Sequence, residues 1–213
     1  MVEDRIAATC AALGLALAPA QHEQLVAFLG LLQRWNSTYN LTAVREPEAM
    51  LTQHLADCLA VLGPLQARLP RGRVLDVGSG GGLPGVVLAI MAPQLDVTCV
   101  DAVGKKAAFV RQVAGTLRVP NLHATHARVE NLKAPPFDLI TSRAFASLAD
   151  FTRLTRHLLQ PGGGHWLAMK GRRPEDELAA LPASVEVFHV EPLEVPGLDA
   201  ERCLVWMRPH AGR

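Results

Sequence analysis

Two regimes of hydrophobic spacing divide the chain near residue 72. Before it, apolar positions recur at helical intervals; after it, short apolar runs of strand length alternate with helical stretches. The first regime predicts helices over residues 2–13, 19–38 and 47–62, with Leu25, Phe28, Leu29, Leu32 and Trp35 marking one face of the second. The second predicts strands near 74–77, 95–100, 122–126, 137–142, 165–170, 185–191 and 203–207, with helices between successive strands through the first five. Such β-α-β repetition requires a parallel sheet covered on both faces. The last two strands are joined by a Pro-Gly-rich stretch, 192–199, too short for a crossover helix, so they are expected to pair antiparallel. The expectation is therefore an α/β fold of Rossmann-like type. It has a seven-stranded, mostly parallel sheet in residues 73–213, preceded by an α-helical cap in residues 1–72.

Between the first strand and the next helix the chain reads Asp76-Val77-Gly78-Ser79-Gly80-Gly81-Gly82-Leu83-Pro84-Gly85. Glycines here remove Cβ atoms where the chain turns and touches a ligand, and Pro84 suits the start of a helix. A nucleoside cofactor is implied, and two kinds compete. Gly80, Gly82 and Gly85 satisfy the G-x-G-x-x-G of dinucleotide folds, with Asp101 at about the expected ~20 residues beyond. Asp76 discriminates, because it makes the loop D-x-G-x-G-x-G and sets a carboxylate beside the helix start where a pyrophosphate would be repelled. S-adenosylmethionine brings an ammonium and a sulfonium instead, and suits that acid.

At 213 residues the chain has no room after residue 170 for the second domain of a dehydrogenase. An apolar fraction of 49% and a charged fraction of 19% fit a soluble enzyme. Apolar runs short of the ~18 residues of a membrane span, and an acidic, amphipathic start, lead to the expectation of a cytoplasmic protein with no membrane partner. Cys10, Cys58, Cys99 and Cys203 lack the close spacing of zinc ligands, so no metal is expected. Ligands of such a sheet bind beyond the carboxyl ends of its strands. Asp101 ends the second strand, where it can accept ribose hydroxyls or cap the following helix. Ala127-Arg128-Val129-Glu130 follow the third and can offer backbone groups to an adenine edge, and Arg143 ends the fourth, where a guanidinium can hold a carboxylate.

With these residues in hand, the chain resembles the ribosomal small-subunit methyltransferase G family, also called the glucose-inhibited division protein B family. The resemblance covers nearly the whole chain. It rests on Trp35-Asn36-x-x-x-Asn40-Leu41-Thr42, His54-x-x-Asp57, the loop from Gly78 to Gly85, Asp101-x-x-x-Lys105-Lys106, and Ser142-Arg143-Ala144-Phe145-Ala146. Cys58 and Ala102 stand where the family usually shows serine, and Gly81 occupies a variable loop position. The resemblance implies methyl transfer from S-adenosylmethionine to N7 of guanine 527 of 16S rRNA, in the small ribosomal subunit; separately, a monomer is expected. It assigns cofactor contacts to Gly78, Leu83, Asp101, Ala102, Val103, Val129, Glu130 and Arg143; the motif reading adds Asp76, Gly80 and Gly82. The family places Trp35, Asn36, Asn40, Thr42, His54 and Asp57 at the target mouth. By residue type alone, Trp35 equally suits the core and Asn36 or Asn40 a helix end.

Guanine N7 is a bare lone pair in the major-groove edge, so its methylation needs no general base. The sequence agrees: it lacks the Asn/Asp-Pro-Pro-aromatic element of exocyclic-amine methylation, since Pro135-Pro136-Phe137 precedes the fourth strand, and it lacks a Pro-Cys pair. No residue is therefore assigned to proton transfer. For the RNA, Lys105, Lys106, Arg128, Lys170, Arg172 and Arg173 are expected to form a basic rim hidden beneath a net charge of +1. Two other readings stay open: a small-molecule methyltransferase of the same fold, and a binding domain without catalysis.

Overall fold

The computed structural model describes residues 1–143, 145 and 147–210. Ala144 and Ala146 of the fourth-strand motif lie outside the described residues.

The helices before the sheet are α1 (Val2–Ala12), α2 (Pro19–Tyr39), α3 (Pro47–Met50), α4 (Asp57–Ala60) and α5 (Leu62–Arg68). Proline at the first turns of α2 and α3 fixes φ for a helix while giving up no needed donor. α2 ends at Asn40, in the left-handed region at φ 49° and ψ 56°, which Asn tolerates better than most residues. The expected helix over 47–62 is not one regular cylinder. Leu51–Ala56 forms a π-helical turn between α3 and α4, and helix continues to Arg68. Periodicity could not show this, because a single widened turn keeps the apolar stripe while rotating the residues beyond it.

The sheet strands are β1 (Gly72–Val77), β2 (Leu95–Asp101), β3 (Leu122–His126), β4 (Leu139–Ser142), β5 (His165–Lys170), β6 (Val185–Pro192) and β7 (Cys203–Pro209). Their order is β3-β2-β1-β4-β5-β7-β6, with β7 antiparallel to both its neighbours and the remaining pairs parallel. The helices after β1, β2, β4 and β5 are α6 (Gly85–Met91), α7 (Gly104–Thr116), α8 (Leu148–Thr155) and α9 (Glu175–Ala179). Between β3 and β4 the expected helix is absent, replaced by a 3-10 turn, Val129–Asn131. Pro135 and Pro136 remove two donors from that short connection and leave too little chain for a crossover helix. The 3-10 turn follows the carboxyl end of β3, and the chain then returns to the opposite edge, where Arg73 at the start of β1 donates to Pro135 O and Pro136 O.

Two apolar clusters lie on the two sheet faces. One joins Phe28, Leu32 and Leu59 of the cap to Val74, Val87 and Phe109, so the cap and the sheet share a continuous core. The other packs Phe137, Phe151 and Trp166 on the opposite face. Among the described residues no helix is long and apolar enough to cross a membrane.

Candidate active site

The glycine loop is built from left-handed residues, Gly78 (φ +67°), Gly80 (φ +55°) and Gly82 (φ +79°), which turn the chain sharply out of β1. Gly85 serves a different need. A Cβ there would lie 2.4 Å from Cys99 Sγ and 2.9 Å from Asp76 Oδ2, so only glycine lets α6 come this close to the sheet. The close approach allows the Gly85 N–H to donate to Asp76 Oδ2 at 2.8 Å.

Asp76 is fully buried beneath the loop rather than exposed in a cleft. Among the described residues its Oδ1 has no hydrogen-bond partner, nor do the buried hydroxyls of Ser79 and Thr141. Asp76 sits in register between Cys99 of β2 and Thr141 of β4, so two of the three orphaned groups are neighbours on adjacent strands. Burial pushes the Asp76 carboxyl up to about 7, against the opposing pull of the Gly85 N–H and the Arg143 guanidinium.

Two cavities open at the carboxyl edge of the sheet. The first, about 180 Å³, is bounded by Gly78, Asp101, Ala102, Arg128, Val129 and Glu130, with Val77, Phe145 and Leu154 among its apolar walls. The position a Cβ would take on Gly78 is open space. Asp101 does not cap α7, whose N-cap is Val103. Its Oδ2 accepts from Gly80 N at 3.0 Å and its Oδ1 from Val103 N at 2.8 Å, tying the loop to the start of α7. Asp76, Gly80, Gly82, Leu83 and Val103, expected as cofactor contacts, do not line this cavity, and Val103 is exposed.

The second cavity, about 360 Å³, lies where the cap meets the ends of β4 and β5. Gln53, His54, Asp57, Arg143, Lys170 and Arg202 line it. Its centre is Asp57, 3% exposed, which meets Arg202 Nε at 3.0 Å and Arg143 Nη1 at 3.5 Å. Arg143 also donates to Gln53 O at 3.2 Å and approaches His54 Nδ1 at 3.1 Å. Nδ1 also faces Gln53 O at 3.0 Å, while Nε2 faces Thr42 Oγ1, which accepts from Val44 N at 3.2 Å, so both ring nitrogens sit within hydrogen-bond reach of fixed partners. Burial, reinforced by Arg143, lowers the His54 pKa to about 4, so the ring is neutral at pH 7. Asn36, buried, holds Thr42 in place by accepting from Thr42 N and donating to Val44 O. The π-helical turn thus presents His54 and Asp57 together to β4.

The other two mouth candidates sit further out. Trp35 packs among Phe109 and Tyr39, with ring centroids 5.4 and 5.0 Å away, and Asn40 caps α2 and accepts from Arg45. Neither lines the second cavity. Arg202 does, although no sequence motif points to it: it stands 145 residues from Asp57, and only the insertion of β7 beside β5 brings the two together.

The family model described as rRNA small subunit methyltransferase G matches residues 21–205. The chain belongs to that family. A ribosomal RNA small subunit methyltransferase G from Acidovorax sp. (strain JS42) is 61% identical over 210 residues, covering 94% of this chain and 92% of the relative. One from Leptothrix cholodnii is 59% identical, covering 98% and 96%. Among solved structures, a SAM dependent methyltransferase from Aquifex aeolicus superimposes with a TM-score of 0.56 at 18% identity, covering 75% of this chain and 92% of that one. TrmN from Thermus thermophilus gives 0.56 at 22%, covering 71% and 48%. These two likenesses bear on the fold, and they place this member of the methyltransferase G family on a widely used Rossmann-like sheet.

The cations expected at the rim of this family member divide into two groups. Lys170 pairs with both Glu177 carboxylate oxygens at 2.8 and 3.0 Å, Arg173 with Glu175 at 2.6 Å, and Arg128 with Glu130 at 3.8 Å. Arg172 lines a neighbouring surface cavity of about 700 Å³ together with Arg173 and Arg202, but also with Glu194, Asp199 and Glu201. Lys105 and Lys106 lie instead on α7, which carries no acid, and Lys105 Nζ stands 5.0 Å from the centre of the Tyr39 ring.

Proposed function

We propose that this chain transfers a methyl group from S-adenosylmethionine to N7 of guanine 527 of 16S rRNA in the small ribosomal subunit. In this reading residues 73–213 hold the cofactor and residues 1–72 frame the target, in a cytoplasmic monomer. The observation that carries it is the pair of cavities at one sheet edge: a nucleoside-sized recess over β1 and β2, and a mouth shared by the cap and β4. The groups present fit the cofactor. Gly78 leaves room at the recess, Asp101 offers a carboxylate there, and the Asp76 carboxyl buried beneath the loop adds an acid whose negative charge suits a cation. Ala102, Val129 and Glu130 would bound the adenine end, and Arg143 the carboxylate end.

When bound, the cofactor supplies an electrophilic methyl carbon. N7 carries no proton, so this chain needs only to align donor and acceptor, an effect that reaches ~7–11 kcal/mol in well-oriented reactions. The mouth is built for that. Both ring nitrogens of His54 are committed, to Thr42 and to Arg143, and the Asp57 carboxylate is held by two guanidiniums. These groups hold position and take no proton. Membership of the rRNA small subunit methyltransferase G family supports ribosomal RNA as the target.

The test is transfer of labelled methyl to small subunits lacking this modification, with free 16S rRNA alongside and borohydride-aniline cleavage to find N7-methylguanine. One cleavage site, at guanine 527, is expected. Cofactor binding without transfer to either RNA form would overturn the assignment and favour a small-molecule acceptor.

A further inference from the structure

The corner where the end of α2 meets the start of α7 has no part in the two cavities, yet it carries an unusual surface. Of the large apolar or aromatic side chains described, three are exposed, and two of them belong to these two helix ends: Tyr39 at 43%, and Val103 at 47%, two residues before Lys105. Trp35 supports the Tyr39 ring from beneath, at 5.0 Å and 46°, and is itself packed on Phe109 of α7. The ring is therefore held by a cap helix and a sheet helix at once. Lys105 lies against it at 5.0 Å, and α7 adds Lys106 and Arg111 with no acid among its thirteen residues.

This corner adjoins both cavities along the chain. Asp101 and Ala102, just before Val103, bound the nucleoside recess, and Thr42, three residues beyond Tyr39, touches His54 of the mouth. A rigid, exposed aromatic ring beside uncompensated cations is the chemistry that binds single-stranded nucleic acid: the ring stacks a base and the ammonium takes its phosphate. We propose that Tyr39 is a stacking platform for an unpaired rRNA base neighbouring the methylated guanine, with Lys105 leaving the ring to contact the adjoining phosphate. The proposal rests on the rRNA reading above and adds to it a residue that the target-mouth motif leaves unspecified, between Asn36 and Asn40.

An exposed cation over an aromatic ring is a weak contact, and base stacking on the same face exceeds it, so the exchange runs toward the RNA-bound form. Tyr39→Ala is expected to weaken small-subunit or rRNA binding by roughly 5- to 100-fold, in line with other base-stacking aromatics, while leaving cofactor affinity unchanged. Tyr39→Phe keeps the ring and is expected to retain most of the binding.

Tyr39 is the only tyrosine in the chain, so 3-fluorotyrosine labelling of the full protein yields a single fluorine resonance. Titration with the rRNA that the wild type methylates should shift it, as burial of the ring under a stacked base changes the fluorine's surroundings. No shift with an RNA that the same preparation methylates would overturn the platform alone. So would equal losses in the Phe and Ala variants, which would make the hydroxyl, not the ring, the binding group. A shift with the intact subunit but not with its stripped RNA would assign the corner to a ribosomal protein and overturn a base as the occupant. Failure of the wild type to methylate any RNA would overturn the rRNA reading, and the platform with it.

Discussion

Asp76 is an acid where the fold alone would prefer a neutral group. Its raised pKa means that, relative to the unfolded chain, it favours the folded state fully below about 3.8, and that this contribution disappears as the pH rises through about 7. At neutral pH and above, the ionised carboxylate is buried with one oxygen unpartnered, a burden that a bound cation would relieve. Asp76→Asn should therefore stabilise the protein at pH 8, by an amount on the order of 4 kcal/mol, while changing little at pH 4. The same substitution should weaken S-adenosylmethionine binding at least tenfold, and the wild-type affinity should rise between pH 5.5 and 7 as Asp76 ionises. Urea denaturation at the two pH values and calorimetric titration measure both effects. Loss of stability at both pH values would show that the carboxylate is wanted by the fold rather than by the ligand. His54 runs the opposite way: its lowered pKa supports the fold above about 6.5, and that support is lost as the pH falls through about 4.

At the scale of elements, the meeting of β1, β2 and α6 depends on one missing methyl. Gly85→Ala places a carbon 2.4 Å from Cys99 Sγ, in a site with no flexible side-chain end to yield, and it pushes the Gly85 N–H away from Asp76. Such overpacking typically destabilises by about 1–3 kcal/mol, so the urea midpoint should fall, and adding Cys99→Ala should recover part of the loss. No recovery would mean that the contact with Asp76, not the sulfur, sets the limit. The importance of this glycine was legible in the sequence as part of the loop; its reason was not, because Cys99 enters only through strand pairing. The same divide runs through the fold. Strands β3 and β5 were readable to the residue from apolar runs, as was the antiparallel end of the sheet. The π-helical turn at Leu51–Ala56 and the helix-free crossing into β4 were not, since apolar periodicity does not report a widened turn and two prolines say only where a helix stops. At the site, His54, Asp57 and Arg143 were readable because motifs carry them, and the sheet edge brings them together. Arg202 was invisible, because an arginine in a loop has no pattern until β7 slots in beside β5.

Over the whole molecule, a net charge of +1 averages two unlike sides of one sheet edge. Around the end of β5, cations are answered locally: Glu175, Asp176 and Glu177 crowd the first turn of α9, and two of them hold Arg173 and Lys170. Around α7, Lys105, Lys106 and Arg111 share a helix with no acid at all. A phosphate arriving at β5 must displace a carboxylate, whereas one arriving at α7 displaces only counterions, and it is counterion release that makes binding depend on salt. The two sides should therefore differ in a titration of rRNA affinity against salt concentration. Lys106→Gln should lower the slope of log affinity against log salt by about 0.7–0.9, the value of one phosphate contact. Arg173→Gln should move it much less, because the charge removed was already compensated by Glu175. A larger change from Arg173 than from Lys106 would put the RNA path along β5 and α9, and the ion pairs there would then be contacts that the RNA breaks. The order expected here follows from where the acids lie, which a residue count cannot register and the placement of α7 and α9 at the two flanks of the sheet edge makes plain.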